Sequence, residues 1–356
     1  MYISVELLEK KMSNQTVDIN SVTPFFSILI PCYNVEQYID ECVASVESQA
    51  FKSWEIIVVD DGSTDGTLGC LEALKKRLSS KMKLIRQDNS GQLISRRACL
   101  SLASGKYAVF LDADDTLRPN ALESLNRVLA EAPEALVQFK HSRNADFSGK
   151  SFPEYPIEVV STKKIDIATY KRWVCSTSEF NPLWGKAIPM SVFSSEKTYE
   201  DYSHIRNGED LLQLLDILDQ VKEVLLLNDS LYYYRANPKG MASVFQPRFF
   251  ESVRTVNEVL LKHIALWNDN ECLRLFRKRW LTTVCICIKQ LTRSGYSLNR
   301  IIVEIKKIGL DEMFKSAWFA SEGLGDKRDI LLKNLAKGHF FRLALVVYLV
   351  NIARRF

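Results

Sequence analysis

Over its first 140 residues the chain alternates short apolar runs with amphipathic stretches, and that alternation predicts repeated strand–helix units. Phe26-Ser27-Ile28-Leu29-Ile30-Pro31 reads as a first strand stopped by Pro31. Asn34 is placed to cap a helix over about 35–49. The run 54–59 is apolar almost throughout, as a central parallel strand covered on both faces should be. Thr64 or Asp65 caps the next expected helix, to about 78. Further strands are expected at 83–86, 107–111 and 135–140. Helices are expected at about 93–103 and from Pro119 to before Pro133, proline being suited to a first helical turn. Residues 24–140 therefore predict a doubly wound α/β sandwich.

The pattern then changes. Residues 141–160 are polar and broken by Pro153 and Pro156. Asn207-Gly208-Glu209-Asp210 opens an amphipathic helix to about 221, and 224–227 and 231–234 read as strands or strand extensions. From about 247 onward the apolar spacing is helical. The expected organisation is an N-terminal extension over 1–23, an α/β domain over 24–245 and a helical C-terminal region over 246–356. Within the α/β domain, 24–140 would bind nucleotide and 141–245 the acceptor.

Charge and composition narrow the function. The net charge is +4, but 327–356 holds seven basic residues and one acid, so the basic character sits in the tail. No basic stripe marks a nucleic-acid partner. Eight cysteines occur with no C-x-x-C pair and fit reduced core residues of a cytoplasmic protein. No apolar stretch of signal-peptide length precedes the first strand. The four histidines are dispersed, and neither G-x-x-x-x-G-K-[ST] nor G-x-G-x-x-G is present, which argues against kinases and dehydrogenases.

The chemistry concentrates in two acidic segments, Val59-Asp60-Asp61-Gly62-Ser63-Thr64-Asp65 and Phe110-Leu111-Asp112-Ala113-Asp114-Asp115. Each follows an apolar strand, so its carboxylates stand where α/β sheets bind ligands. Carboxylates this close repel unless a cation or donors lie between them. Asp112 and Asp114, two apart, suit a hard divalent cation, Mn²⁺ or Mg²⁺, that keeps positions open for phosphate oxygens. A carboxylate at 60 or 61 could accept a base N–H; alternatively Asp60 does no more than shape the turn. Glu209 and Asp210 favour a helix N-terminus electrostatically, whatever else they do.

Taken in order, Ile30-Pro31-Cys32-Tyr33-Asn34, the segment from Val59 to Thr67, Gln87-Asp88-Asn89-Ser90-Gly91, Arg96 and the segment from Gly105 to Asp115 closely resemble the inverting family 2 glycosyltransferases. The resemblance covers roughly 24–130. It implies the GT-A fold, a Rossmann-like α/β/α sandwich, with a helical C-terminal region beyond it here. It also implies a nucleotide-sugar donor, most often carrying uracil, a divalent cation and inversion at the anomeric carbon. By position, donor contacts fall on Pro31, Tyr33, Asp60, Asp61, Arg96, Asp112, Ala113, Asp115 and Arg235, and the metal on Asp112 and Asp114. Asp210 is then the base and Glu209 orients it or the acceptor. The chain departs from the family's G-x-S-x-A-R-N stretch in reading Gly91-Gln92-Leu93-Ile94-Ser95-Arg96-Arg97, with Arg97 for the usual asparagine. Tyr232-Tyr233-Tyr234-Arg235 leads into a loop through Lys239 to Ser243 that resembles one lying over the donor diphosphate. Asn181-Pro182-Leu183-Trp184-Gly185-Lys186 resembles a segment on the acceptor side, where Trp184 either stacks on a sugar or packs in the core.

The tail reads as one helix over about 331–352, too short in its apolar run to span a bilayer. Lys333, Lys337, Arg342, Arg354 and Arg355 would let it lie on an anionic membrane surface; packing on the domain is the alternative. The expected activity is sugar transfer from a nucleotide-sugar to a glycan or lipid-linked acceptor in bacterial surface polysaccharide synthesis. Its rivals are a silent assembly subunit and a sugar-phosphate nucleotidylyltransferase. The second would want a Gly-rich, Arg-containing loop where Pro31-Cys32-Tyr33-Asn34 stands.

Overall fold

The apolar run at the start of the α/β region forms strand β1 (Phe26–Cys32), buried along its whole length. The structure is a computed structural model that describes residues 23–195, 197–237, 244–321 and 323–354. The expected extension before residue 23, the loop residues Lys239 and Ser243, and Arg355 lie outside the described residues.

Strand β2 (Trp54–Asp60) pairs in parallel with β1, and β3 (Met82–Arg86) continues the parallel order outward. Strand β4 (Tyr107–Phe110) lies on the other side of β1, also parallel. Chain order thus reverses between β1 and β4, which creates the crevice beyond the strand C-termini where such sheets take ligands. The sheet continues through β5 (Thr116–Leu117), β6 (Leu136–Ser142), β7 (Ser151–Phe152), β8 (Thr162–Asp166), β9 (Lys186–Pro189) and β10 (Glu223–Tyr233). Its order is β3-β2-β1-β4-β9-β6-β10-β5, with β7 on β6 and β8 on β10. Strand β9 is antiparallel to both neighbours, so the sheet is parallel in its first half and mixed in its second.

Helices cover both faces. Ile28 and Ile30 of β1 pack with α1 (Ile39–Glu47), α2 (Thr67–Leu78) and, farther along the sheet, α4 (Ala121–Glu131). Leu29, Ile57 and Val59 face the other way, into a core shared with α3 (Gln92–Leu102), α5 (Ile167–Ser176) and α6 (Glu209–Gln220). The same core runs on into α7 (Phe249–Trp267), α8 (Asn270–Leu291), α9 (Leu298–Gly309), α10 (Glu312–Phe319), α11 (Arg328–Ala336) and α12 (Phe340–Ala353). Helix α6 buries Leu211, Leu214, Leu215 and Leu218 completely. At ~1.5–3 kcal/mol per side chain, that burial fixes the helix start, and with it Glu209 and Asp210, against the sheet.

Four local expectations change. Asn34 does not cap α1, which begins at Ile39. Asn34 has φ 53° and its Oδ1 accepts from the Thr64 N–H at 2.8 Å, tying the turn after β1 to the turn after β2. Helix α2 starts at Thr67, where Asp65 Oδ1 accepts the Thr67 N–H at 3.0 Å. The two strands expected at 224–234 are one strand with irregular register around Ser230. The single tail helix is two, broken at Gly338, whose φ of +76° ends α11 as glycine readily does.

Candidate active site

Four carboxylates and one buried guanidinium meet at the crevice. Gly208, at φ +84°, turns the chain into α6 so that Glu209 and Asp210 occupy its first turn. Arg96, one turn into α3 and 1% exposed, lies between them and the end of β4. Its Nη1 bonds Asp210 Oδ1, 114 residues away in the chain, and its Nη2 bonds Asp112 Oδ1 at 3.2 Å. Glu209 Oε1 is 3.8 Å from Nη1. Burial opposes the charge on Arg96, yet Asp210, Asp112 and Glu209 outweigh it and raise the guanidinium pKa. Burial, then Asp210, lifts Glu209 to about 7. Burial lifts Asp112 to about 6, against the pull of Arg96.

Asp112 divides its carboxylate. Oδ1 accepts from Arg96 and from Gln92 Nε2 at 3.0 Å; Oδ2 has no hydrogen-bond partner among the described residues. Asp114 accepts from Asn237 Nδ2 at 2.9 Å on Oδ2. Both side chains are half-buried at the crevice. Two oxygen donors at this spacing fit one edge of a hard cation's shell. Among the described residues no third His, Cys, Asp or Glu joins them, so phosphate oxygens or water would have to complete such a shell.

Several expected donor contacts are turned inward. Asp60 is fully buried: Oδ1 accepts the Ser63 N–H at 3.0 Å and Oδ2 lies 3.4 Å from Arg86 Nε. It shapes the turn after β2. Asp115 is 1% exposed and accepts from Tyr232 Oη at 2.7 Å and the Arg235 N–H at 2.8 Å. Burial, then Asp112 and Asp114, pushes it to about 8. It ties the end of β10 to the Asp112 loop rather than facing a sugar. Ala113 is 4% exposed and Pro31 is buried within β1. Asp61 accepts from the Ser90 and Gly91 N–H groups at 2.9 and 2.8 Å and from Gln87 Nε2 at 2.7 Å, so it also organises the 87–91 loop. Tyr33 is 49% exposed on the turn after β1. Arg235 reaches back: Nη2 pairs with Glu41 at 2.6 Å and Nε donates to the Asp114 carbonyl at 2.8 Å.

Tyr232, Trp184 and Lys186 complete the frame. Tyr232 Oη accepts the Asp112 N–H at 3.1 Å while donating to Asp115. Trp184 stacks on Tyr232 and Tyr234 at 4.9 and 5.1 Å, which makes it a packing residue behind the Asp112 loop. Lys186 is 1% exposed and donates to the carbonyls of Phe180, at 3.0 Å, and Pro182. Burial brings it down to about 7, against Asp210. Nothing in the spacing of 181–186 flagged this lysine, because a Lys in a Gly-Lys pair reads as solvated.

Residues 27–186 match the profile of Glycosyl transferase family 2. That stretch is a family 2 glycosyltransferase domain. Glycosyltransferase GlyG of Streptococcus pneumoniae is 26% identical over 252 residues, 68% of this chain and 81% of GlyG. The poly(ribitol-phosphate) β-N-acetylglucosaminyltransferase TarS of Staphylococcus aureus is 26% identical over 239 residues, 65% of this chain but 39% of TarS. The crystal structure of TarS 1–349 with UDP-GlcNAc superposes with a TM-score of 0.63 at 18% identity, over 93% of this chain and 91% of that one. That likeness establishes the GT-A-like fold with its helical C-terminal region. This glycosyltransferase is therefore an enzyme related to bacterial surface-polymer transferases. Among its described residues no helix is long and apolar enough to cross a membrane.

Proposed function

We propose that this glycosyltransferase moves a sugar, with inversion, from a UDP-sugar to a hydroxyl of a glycan or lipid-linked acceptor in bacterial surface polysaccharide synthesis. The observation that carries the reading is the meeting of Asp112 and Asp210 on one buried guanidinium, which joins a phosphate-side loop to an acid at a helix start. Asp210, half-buried at the crevice, takes the proton of the attacking hydroxyl. Glu209 holds Arg96 in place from the same helical turn. Asp61 keeps the 87–91 loop in the shape that receives the base, and Tyr33 offers an exposed ring beside it. A Mn²⁺ or Mg²⁺ ion on Asp112 and Asp114 would neutralise the departing diphosphate. UDP as the nucleotide is supported by the likeness to the TarS structure in complex with UDP-GlcNAc.

The tail adds a place to work. Helix α12 is apolar nearly all round. It buries Leu343, Ala344 and Val347 and exposes Phe341, Leu345, Val346, Leu349 and Val350. Lys333, Lys337, Arg342 and Arg354 of the same tail are exposed as well, a combination that favours an anionic bilayer surface. The test of the chemistry is calorimetry of UDP with Mn²⁺, with Mg²⁺ and with chelator, followed by a hydrolysis screen of UDP-sugars. Tighter UDP binding with metal is expected; equal affinity with chelator would end the metal role.

A further inference from the structure

A second cleft, of about 370 Å³, opens between α6 and the segment that follows β9. Its size is in the range of small-ligand sites. Gln213 lines it, one helical turn along α6 from Asp210. The residue is 2% exposed, and neither Nε2 nor Oε1 has a hydrogen-bond partner. A buried amide in that state destabilises the fold relative to an apolar side chain of similar shape. Its two atoms ask for a ligand that both accepts and donates. The charged groups around it are already engaged. Asp216 holds Tyr199 Oη at 2.5 Å and Lys197 Nζ at 3.0 Å, and Arg97 Nη2 donates to the Ser194 carbonyl at 2.8 Å. An ion would have to compete with these contacts, whereas a neutral molecule with neighbouring hydroxyls can leave them intact. One wall is Arg97, the departure from the family's usual asparagine.

We propose that this cleft is a saccharide subsite that takes a neutral sugar unit of the acceptor remote from the reacting hydroxyl. The sugar class follows from the lining; its assignment to the acceptor rests on the function proposed above.

The experiment uses the full chain saturated with UDP, so that the donor crevice is filled, and saturation-transfer NMR with glucose, galactose, N-acetylglucosamine and N-acetylgalactosamine. At least one sugar should bind, and Gln213→Leu should weaken it tenfold or more with UDP affinity unchanged. Gln213→Met, closer in shape, should do the same and separates lost hydrogen bonds from altered packing. No binding by any of the four sugars, or equal binding in wild type and both variants, overturns the subsite. If UDP itself fails to bind, the donor reading is what fails, and the sugar titration without UDP still decides the subsite.

Discussion

Replacing Arg96 by Met tests whether the cluster is an electrostatic unit. The substitution keeps an unbranched side chain and removes the one cation that Asp112, Glu209 and Asp210 share. Removing one partner of a buried ion pair typically costs ~3–5 kcal/mol, because the other charge stays buried. Here the acids have an escape: they can take up protons. Glu209 stands at about 7 even with Arg96 present, for burial first and Asp210 second. Its folded pKa lies above its unfolded value, so its contribution to stability is complete below about 4.5 and is lost as pH rises through the folded pKa. Without Arg96 that folded pKa moves higher still. The loss relative to wild type should therefore grow with pH, from roughly 1–2 kcal/mol at pH 5 to about 3–5 kcal/mol at pH 8. Urea unfolding of both proteins at pH 5, 6.5 and 8 measures it. A loss that is the same at pH 5 and pH 8, or below ~1 kcal/mol throughout, would refute the electrostatic account.

Asp210→Asn should keep fold and UDP affinity and lower the transfer rate by roughly a hundredfold or more, measured as UDP release with an acceptor glycan; near-normal turnover would move the base elsewhere. Lys186 has a depressed pKa, so its stabilising contribution is present above the unfolded value and lost as pH falls towards about 7. Wild type should accordingly gain stability on Lys186→Met between pH 7 and 9, by up to ~1 kcal/mol per unit, and parallel thermal midpoints across that range would count against a neutral buried lysine. Phe341→Ser, Leu345→Ser and Leu349→Ser combined should release the full chain from phosphatidylserine vesicles in flotation and leave its unfolding midpoint nearly unchanged; wild type that stays with the buffer rules out the bilayer contact. Truncation before residue 331 is the poorer test, since it would also remove the buried Leu332, Leu335, Leu343 and Val347.

What the sequence made legible follows from burial. Strands β1, β2 and β4 are covered on both faces, so their residues are apolar almost throughout, Ser27, Glu55 and Asp60 excepted, and those runs stand out. Strand β9 is just as buried but begins with Lys186, whose ammonium is satisfied by two carbonyls of its own loop, so its polarity hid it. Strand β10 looked like two because Asn228-Asp229-Ser230 falls where its register slips. Asp60 and Asp61 could not be told apart by type. Their difference is one of direction: Asp60 turns down onto its own turn, and Asp61 turns across to the 87–91 loop. The Asp112–Arg96–Asp210 junction needed the fold, because nothing local in α3 and α6 says that their first turns meet.

The same division explains why so many acids are tolerated at one crevice. The buried ones are satisfied largely by directed donors: Asp60 by Ser63 with Arg86 nearby, Asp61 by Ser90, Gly91 and Gln87, Asp115 by Tyr232 and Arg235. They hold loops and add little that a ligand can reach. The half-buried Asp112 and Asp210, together with Glu209, have Arg96 as their shared counter-charge, and Asp114, also half-buried, accepts from the neutral Asn237 amide. Lys186 is near enough to feel Asp210, but burial lowers its pKa to about 7, so at pH 7 it carries only part of a positive charge and offsets only part of that negative charge. The crevice is thus left with more negative charge than its own cations balance. A dianionic nucleotide would be repelled from such a surface on its own, whereas one bound with a divalent cation is neutral overall and would place that cation between the phosphate and the carboxylates. That imbalance is a reason for the proposed metal dependence that is separate from any likeness of the Asp112 and Asp114 pair to a family motif.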